Sequence, residues 1–230
     1  MTRLTGAQQQ VRGASLFVVG AVAGGLINQW AVPSLVDAFR GSELKRTELG
    51  LYQPLSAGRE LTSLRIAKTE NGTCEPESRD DIVNTNAARC QTATDIYDPC
   101  YAFLEIAAGE SLVCVFAPWA REATVVKVTR VDPSSFTSEQ LERERKRARP
   151  WALELENGLG CLFVGGGGTT DVAGRRINYV CWRKDEEPGP RNARGEVAGE
   201  PDRSGAVWRI QFSETGSTQF REVSIKRVWY

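Results

Sequence analysis

The chain has no histidine. That absence excludes Ser-His-Asp and Cys-His nucleophilic sites and every metal site that depends on imidazole. Nor is there an excess of either charge: 29 basic and 29 acidic side chains cancel over 230 residues. The positive field that draws proteins to nucleic acid is therefore missing. No CxxC pair occurs among the six cysteines, and four thiolates at their spacings do not suit zinc. No EF-hand spacing is present either. What remains is a hydrophobic content of 41%, ordinary for a chain that folds around a core. Nothing in it names a reaction or a ligand.

A further absence is local. Between Arg12 and Asp37 no residue is charged. A helix rising about 1.5 Å per residue over 13–36 would reach roughly 36 Å, enough to cross a bilayer core with some tilt. The expectation is a single membrane-spanning anchor with Trp30 at its far interface. Two other readings stay open: a signal peptide cleaved at Ala21-Val22-Ala23, and a buried helix. Within the span, Gly20 and Gly24 form a GxxxG motif, and small residues four apart let another helix approach closely. This points to packing against a second copy or another membrane subunit.

Charge does not orient the anchor, because Arg3 and Arg12 are balanced by Arg40, Lys45 and Arg46. Cysteine does. Cys74, Cys90, Cys100, Cys114, Cys161 and Cys181 all follow the anchor, and an even set without metal spacing reads as disulfides made in an oxidising compartment. The organisation expected is a cytoplasmic N-terminus (1–12), an anchor (13–36), a stalk (37–70) and an extracytoplasmic disulfide-bonded β-rich domain (71–230).

Within that domain, 71–100 carries six acids against two arginines and few apolar residues, and is expected to be a disulfide-tethered loop region. Asp80, Asp81, Asp95 and Asp98 offer hard oxygen ligands without calcium-loop spacing. Strands are expected at 111–116, 124–131, 176–182, 206–212 and 222–230 from their period of two. The clearest unit is Trp151-Ala152-Leu153-Glu154-Leu155-Glu156, then Asn157-Gly158, then 159–164, a hairpin signature. A two-residue turn would set Leu155 opposite Gly160, Leu153 opposite Leu162, and Glu154 on the solvent face. Thr137 to Gln140 is a capping box opening a short helix that runs to Pro150 and ends in basic residues. That basic end reads as a solvated face or as a patch for an acidic partner or anionic lipid. The stretch 188–205, rich in Gly and Pro, reads as a mobile surface loop. The run 165–170, four glycines and two threonines, lacks the Lys-Ser/Thr ending of a phosphate loop.

The series Asp98-Pro99-Cys100, Cys114, Pro118-Trp119, Pro150-Trp151-Ala152-Leu153, Asn157-Gly158, Cys161, Asn178-Tyr179, Cys181 and Trp208 resembles a group of uncharacterised bacterial exported proteins. The likeness covers 98–230. It implies bacterial origin and export, with no activity attached. Among the 15 connectivities open to six cysteines, local pairing (74–90, 100–114, 161–181) is the expectation.

The fold class expected is mainly β, an antiparallel β-sandwich or small barrel stapled by disulfides, with one N-terminal transmembrane helix. The function expected is that of a non-enzymatic, single-span accessory or scaffolding subunit in a bacterial cell membrane, without cofactor, metal or catalytic residues. Its partners would be the membrane and other membrane proteins, or itself. The alternative is a binding module for a small ligand or cell-envelope polymer, with Trp119, Trp182, Trp208 and Trp229 as its aromatic surface.

Overall fold

The computed structural model describes residues 44–55, 64–102, 106–164, 171–186, 188–189 and 191–230. The expected anchor with Gly20 and Gly24, the start of the stalk and the glycine run at 165–170 lie outside them. Among the described residues no helix is long and apolar enough to cross a membrane.

The architecture is mainly β and is built from closed barrels rather than a sandwich. The first barrel holds β2 (Arg65–Glu75), β3 (Ala87–Thr92), β4 (Ile96–Tyr101), β5 (Ser111–Cys114) and β6 (Glu122–Val131), after a short β1 (Glu48–Gly50). Each strand runs antiparallel to the one before it. Five alternating directions leave the first and last strands pointing the same way, so the ring closes through a parallel pair, β2 with β6. A helix, α1 (Ser138–Lys146), leads to the second barrel. That ring comprises β7 (Ala152–Leu155), β8 (Leu159–Phe163), β10 (Arg175–Arg183), β11 (Gly195–Asp202), β12 (Arg209–Glu214) and β13 (Arg221–Trp229), with β9 (Asp171–Val172) pairing only β10. Six alternating strands close antiparallel, β13 on β7. β1 adds in parallel beyond β12 on the edge of β13, and buried Thr47 braces it by donating to Ile225 O (2.6 Å) and accepting from Trp208 N–H (2.8 Å).

Alternation along each strand divides the buried residues into three groups. Inside the first barrel lie Cys74, Ala88, Cys90, Cys100, Leu112, Cys114, Val126 and Val128. Inside the second, Leu153, Leu155, Cys161, Tyr179, Phe212 and Ile225 are among those that meet. The outward faces of the two rings share a third core, in which Ala87, Tyr101, Val113 and Val115 of the first pack with Trp151, Ala152, Leu162 and Trp182. Closed sheets usually expose their outer face; here part of both outer faces is a seam.

Several sequence expectations change. The segment 71–100 is not a loop region: β2, β3 and β4 occupy more than half of it, and 76–86 and the short turn 93–95 lie between strands. Residues 44–55 and 64–70, assigned to the stalk, carry β1 and the start of β2. The stretch 188–205 contains β11, a strand paired on both sides. Its Gly199 (φ +75°) and Pro201 sit where the register with β12 shifts between Ala198 and Asp202, and a bulge is where sheets tolerate both residues. The β7–β8 hairpin is one residue out of the expected register: Ala152 faces Leu162, Leu153 faces Cys161 and Glu154 faces Gly160. The turn has three residues, with Gly158 N–H donating to Leu155 O (3.0 Å) and only Gly158 at positive φ (+84°). That is a type I turn with a glycine bulge. The capping box on α1 forms as expected, Thr137 and Gln140 each binding the other's backbone N–H.

The three disulfides are Cys74–Cys90, Cys100–Cys114 and Cys161–Cys181, each joining residues directly opposite on adjacent antiparallel strands. All six cysteines are buried. Removing the bridge of the second barrel by Cys161→Ala with Cys181→Ala is expected to cost about 3 kcal/mol, the scale for cross-linking a loop of this size. Urea unfolding of the oxidised wild type and the double variant measures it.

Candidate functional site

Three features of the body could carry chemistry or recognition: the seam, a buried acid cluster beneath the 76–86 segment, and the clefts at the barrel ends. The seam is aromatic. Tyr52 meets Tyr101 (5.4 Å between centroids) and Trp151 (5.9 Å), and Trp119 meets Trp229 (6.0 Å), all edge to face, the orientation that ring quadrupoles favour. Gly160 is why Trp119 fits. A Cβ there would lie 2.5 Å from Trp119 Cζ2, so the ring lies directly on the β8 backbone.

The four tryptophans expected to form a binding surface are therefore divided. Trp119, Trp182 and Trp229 belong to the seam, where Trp182 is buried and donates Nε1–H to Gly189 O (2.9 Å). Trp208 packs on the second barrel's core beneath Arg203, whose guanidinium lies 4.9 Å from its ring centroid. They do not make one exposed face. Glu154, expected at the solvent face, is only 5% exposed and sits in a fork of Lys184 Nζ (2.7 Å) and Lys226 Nζ (3.1 Å). Burial works to raise its pKa, but the two ammonium groups hold the carboxyl below the usual range.

The acid cluster lies against the first barrel. Tyr101 O–H donates to buried Asp81 Oδ2 (2.9 Å). Asp98 accepts from the Ser78 hydroxyl and from Arg79 N–H (3.0 Å), with Arg89 Nε at 3.8 Å. Burial, then the charge of Asp98, pushes Asp80 up to about 7, against the pull of Arg89. Burial likewise pushes Asp81 up to about 6, offset by hydrogen bonds from Tyr101 and Asn84. Asp95 stands apart, exposed and paired with Lys68 (3.2 Å). Among the described residues no three of these carboxylates converge as a cation site would need. The three ligand-type atoms that do lie within 4.8 Å of one another are the sulfurs of Cys90, Cys100 and Cys114, already bonded as cystine.

Two clefts are rich in arginine. One, of about 880 Å³, opens at the end of the second barrel beside Asn157 and Arg221. The other, of about 670 Å³, lies between the 76–86 segment, the end of α1 and the start of β10, and includes Arg79, Arg147, Arg149 and Arg176. Sequence reasoning found half of the second cleft in the basic end of α1. Arg79 and Arg176 carry no local pattern that would join them to it. No family model, curated protein or solved structure matches this chain.

Gly160→Ala is expected to displace the Trp119 ring, destabilise the fold by about 1–3 kcal/mol as overpacking does, and red-shift tryptophan emission, read by fluorescence during urea unfolding. A second expectation concerns pH. A carboxyl whose folded pKa lies above its unfolded value stabilises the fold below the unfolded value and loses that contribution as pH rises through the folded one. With Asp80 raised from 3.8 to about 7 and Asp81 from 3.8 to about 6, their joint contribution falls from about pH 4 to about pH 7. Asp80→Asn should flatten the upper part of that slope, seen as urea midpoints at pH 5 and pH 7.5 that lie closer together than in wild type.

Proposed function

We propose that this protein is a non-enzymatic, single-span bacterial membrane protein whose exported two-barrel body serves as an accessory or scaffolding subunit of a larger membrane assembly. The observation that carries this reading is the edge strand β1. It pairs only with β13 among the described residues, and Leu49 within it and Leu51 just after it are 62% and 52% exposed. A free strand edge with exposed leucines is a ready template for another chain. Export is supported by three buried disulfides, which persist in oxidising compartments. The anchor rests on the uncharged run at 13–36. The use of three tryptophans in the seam favours a rigid body over an aromatic ligand platform.

The expected behaviour of the full chain in mild detergent is a mass above that of one polypeptide by light scattering, either as a homo-oligomer or with a bound membrane protein. Leu49→Lys with Leu51→Lys, the charge that natural sheets place on open edges, should return it to a monomer with unchanged thermal unfolding. A wild-type chain that is monomeric and unaccompanied refutes the proposal.

A further inference from the structure

The two arginine-bearing clefts differ in whether their cations are already used. At the end of the second barrel, Arg183 pairs with Asp185 (3.3 Å), Lys184 with Glu154 (2.7 Å), Arg194 with Glu186 (2.7 Å) and Arg221 with Glu214 (3.8 Å). In the cleft beside α1 only two of the four arginines are used in ion pairs. Arg79 reaches Glu75 (3.4 Å) and Arg149 reaches Glu200 (3.2 Å), whereas exposed Arg147 and Arg176 make no ion pair among the described residues. Four guanidinium groups line the space against two acids, Asp80 and Glu144.

α1 makes sense in this light. It buries no side chain, so packing does not explain its place. Its capping box fixes its start, and the bond from Arg145 Nε to Ile82 O (3.2 Å) ties it to the 76–86 segment. So held, it delivers Arg147 and Arg149 to the same space as Arg79 and Arg176, which come from distant parts of the chain. The helix end carries roughly half a negative charge, which four guanidinium groups outweigh. Arg149 lies over the Phe163 ring (4.8 Å to the centroid), and Phe136 adds an apolar wall, suited to the organic part of a ligand.

We infer that this cleft binds a phosphate ester, with Arg147 and Arg176 as its principal contacts. Guanidinium forks match phosphate oxygens in pairs, and Arg147 and Arg176, the two lining arginines without an ion pair among the described residues, supply two such forks to one space. The ester has two possible sources, a soluble metabolite or a lipid headgroup. This inference goes beyond the scaffold proposal and does not depend on it.

The test titrates the full chain in uncharged maltoside micelles with glycerol 3-phosphate and with dihexanoyl phosphatidic acid, using calorimetry, and with sodium chloride of equal ionic strength as reference. Saturable binding of glycerol 3-phosphate is expected. Arg147→Ala with Arg176→Ala should weaken it at least about tenfold, the scale of losing charge-assisted hydrogen bonds. Arg209→Ala, outside the cleft, should leave it unchanged, and thermal unfolding of each variant shows that the fold persists. Tighter binding of the phosphatidic acid assigns a lipid headgroup, and equal or weaker binding a soluble ester. Binding no stronger than the salt reference, binding unchanged in the double variant, or an equal loss in Arg209→Ala overturns the site.

Discussion

The first barrel depends on cystine packed where other small barrels carry large aliphatic side chains. Among the described residues its buried interior holds four half-cystines, two alanines and, as larger aliphatics, Leu112, Val126 and Val128, with Ile106 partly buried against them. The Cys74–Cys90 and Cys100–Cys114 bridges lie side by side across adjacent strand pairs, with the sulfurs of Cys90, Cys100 and Cys114 within 4.8 Å of one another. Each bridge therefore supplies core volume as well as a covalent tie. It also limits the freedom of the unfolded chain by closing a local loop. Oxidation is built into the core, which links the fold to the compartment in which the chain can reach it.

Because the first barrel is narrow and its inside so sparsely aliphatic, its outer face matters as much. β3, β4 and β5 turn Ala87, Tyr101, Val113 and Val115 toward Trp151, Leu162 and Trp182, so these strands bury both faces along part of their length. Burying apolar area on both sides of a strand roughly doubles what each residue pair can contribute. The same geometry demands small residues where rings lie flat on backbone. Gly160 under Trp119 is one such place, and Gly195 under Phe212 is another, where a Cβ would lie 2.4 Å from Cε2. Three of the four indoles that a reader of the sequence would assign to a ligand, Trp119, Trp182 and Trp229, are packed in the seam between the two rings.

How much of this was legible follows from what carries each element. Period-two runs with valine, isoleucine and phenylalanine, such as β6, β12 and β13, were plain in the sequence. So was the helix, whose capping box is a local signal. β2, β3 and β4 were not, because their inward positions are Cys74, Ala88, Cys90 and Cys100 rather than branched aliphatics, and a count of large apolar residues passes over them. β11 was hidden by Gly199 and Pro201, which read as loop punctuation but sit at its bulge. The hairpin was found, yet its register slipped by one because Asn-Gly is compatible with a two-residue turn and with a glycine-bulge turn alike. The pairing of β8 with β10, which sets Cys161 opposite Cys181, and the pairing of β7 with β13 hold the observed register. The cleft was half legible. The end of α1 announced its charge, but its partners come from a loop and a strand start, and only topology brings them together.

The zero net charge of the chain conceals a separation of charge in space. Asp80 and Asp81 of the 76–86 segment gather with Asp98, while the arginines of the neighbouring cleft come from the same segment, α1 and β10. Asp80 belongs to both groups: it lines the cleft, and its carboxyl feels Asp98 and Asp81 behind it. Burial raises its pKa first, Asp98 and Asp81 add to the rise, and Arg89 opposes it. The arrangement is local and is invisible in the total of 29 against 29. A balanced total therefore leaves room for one small anion held at one place.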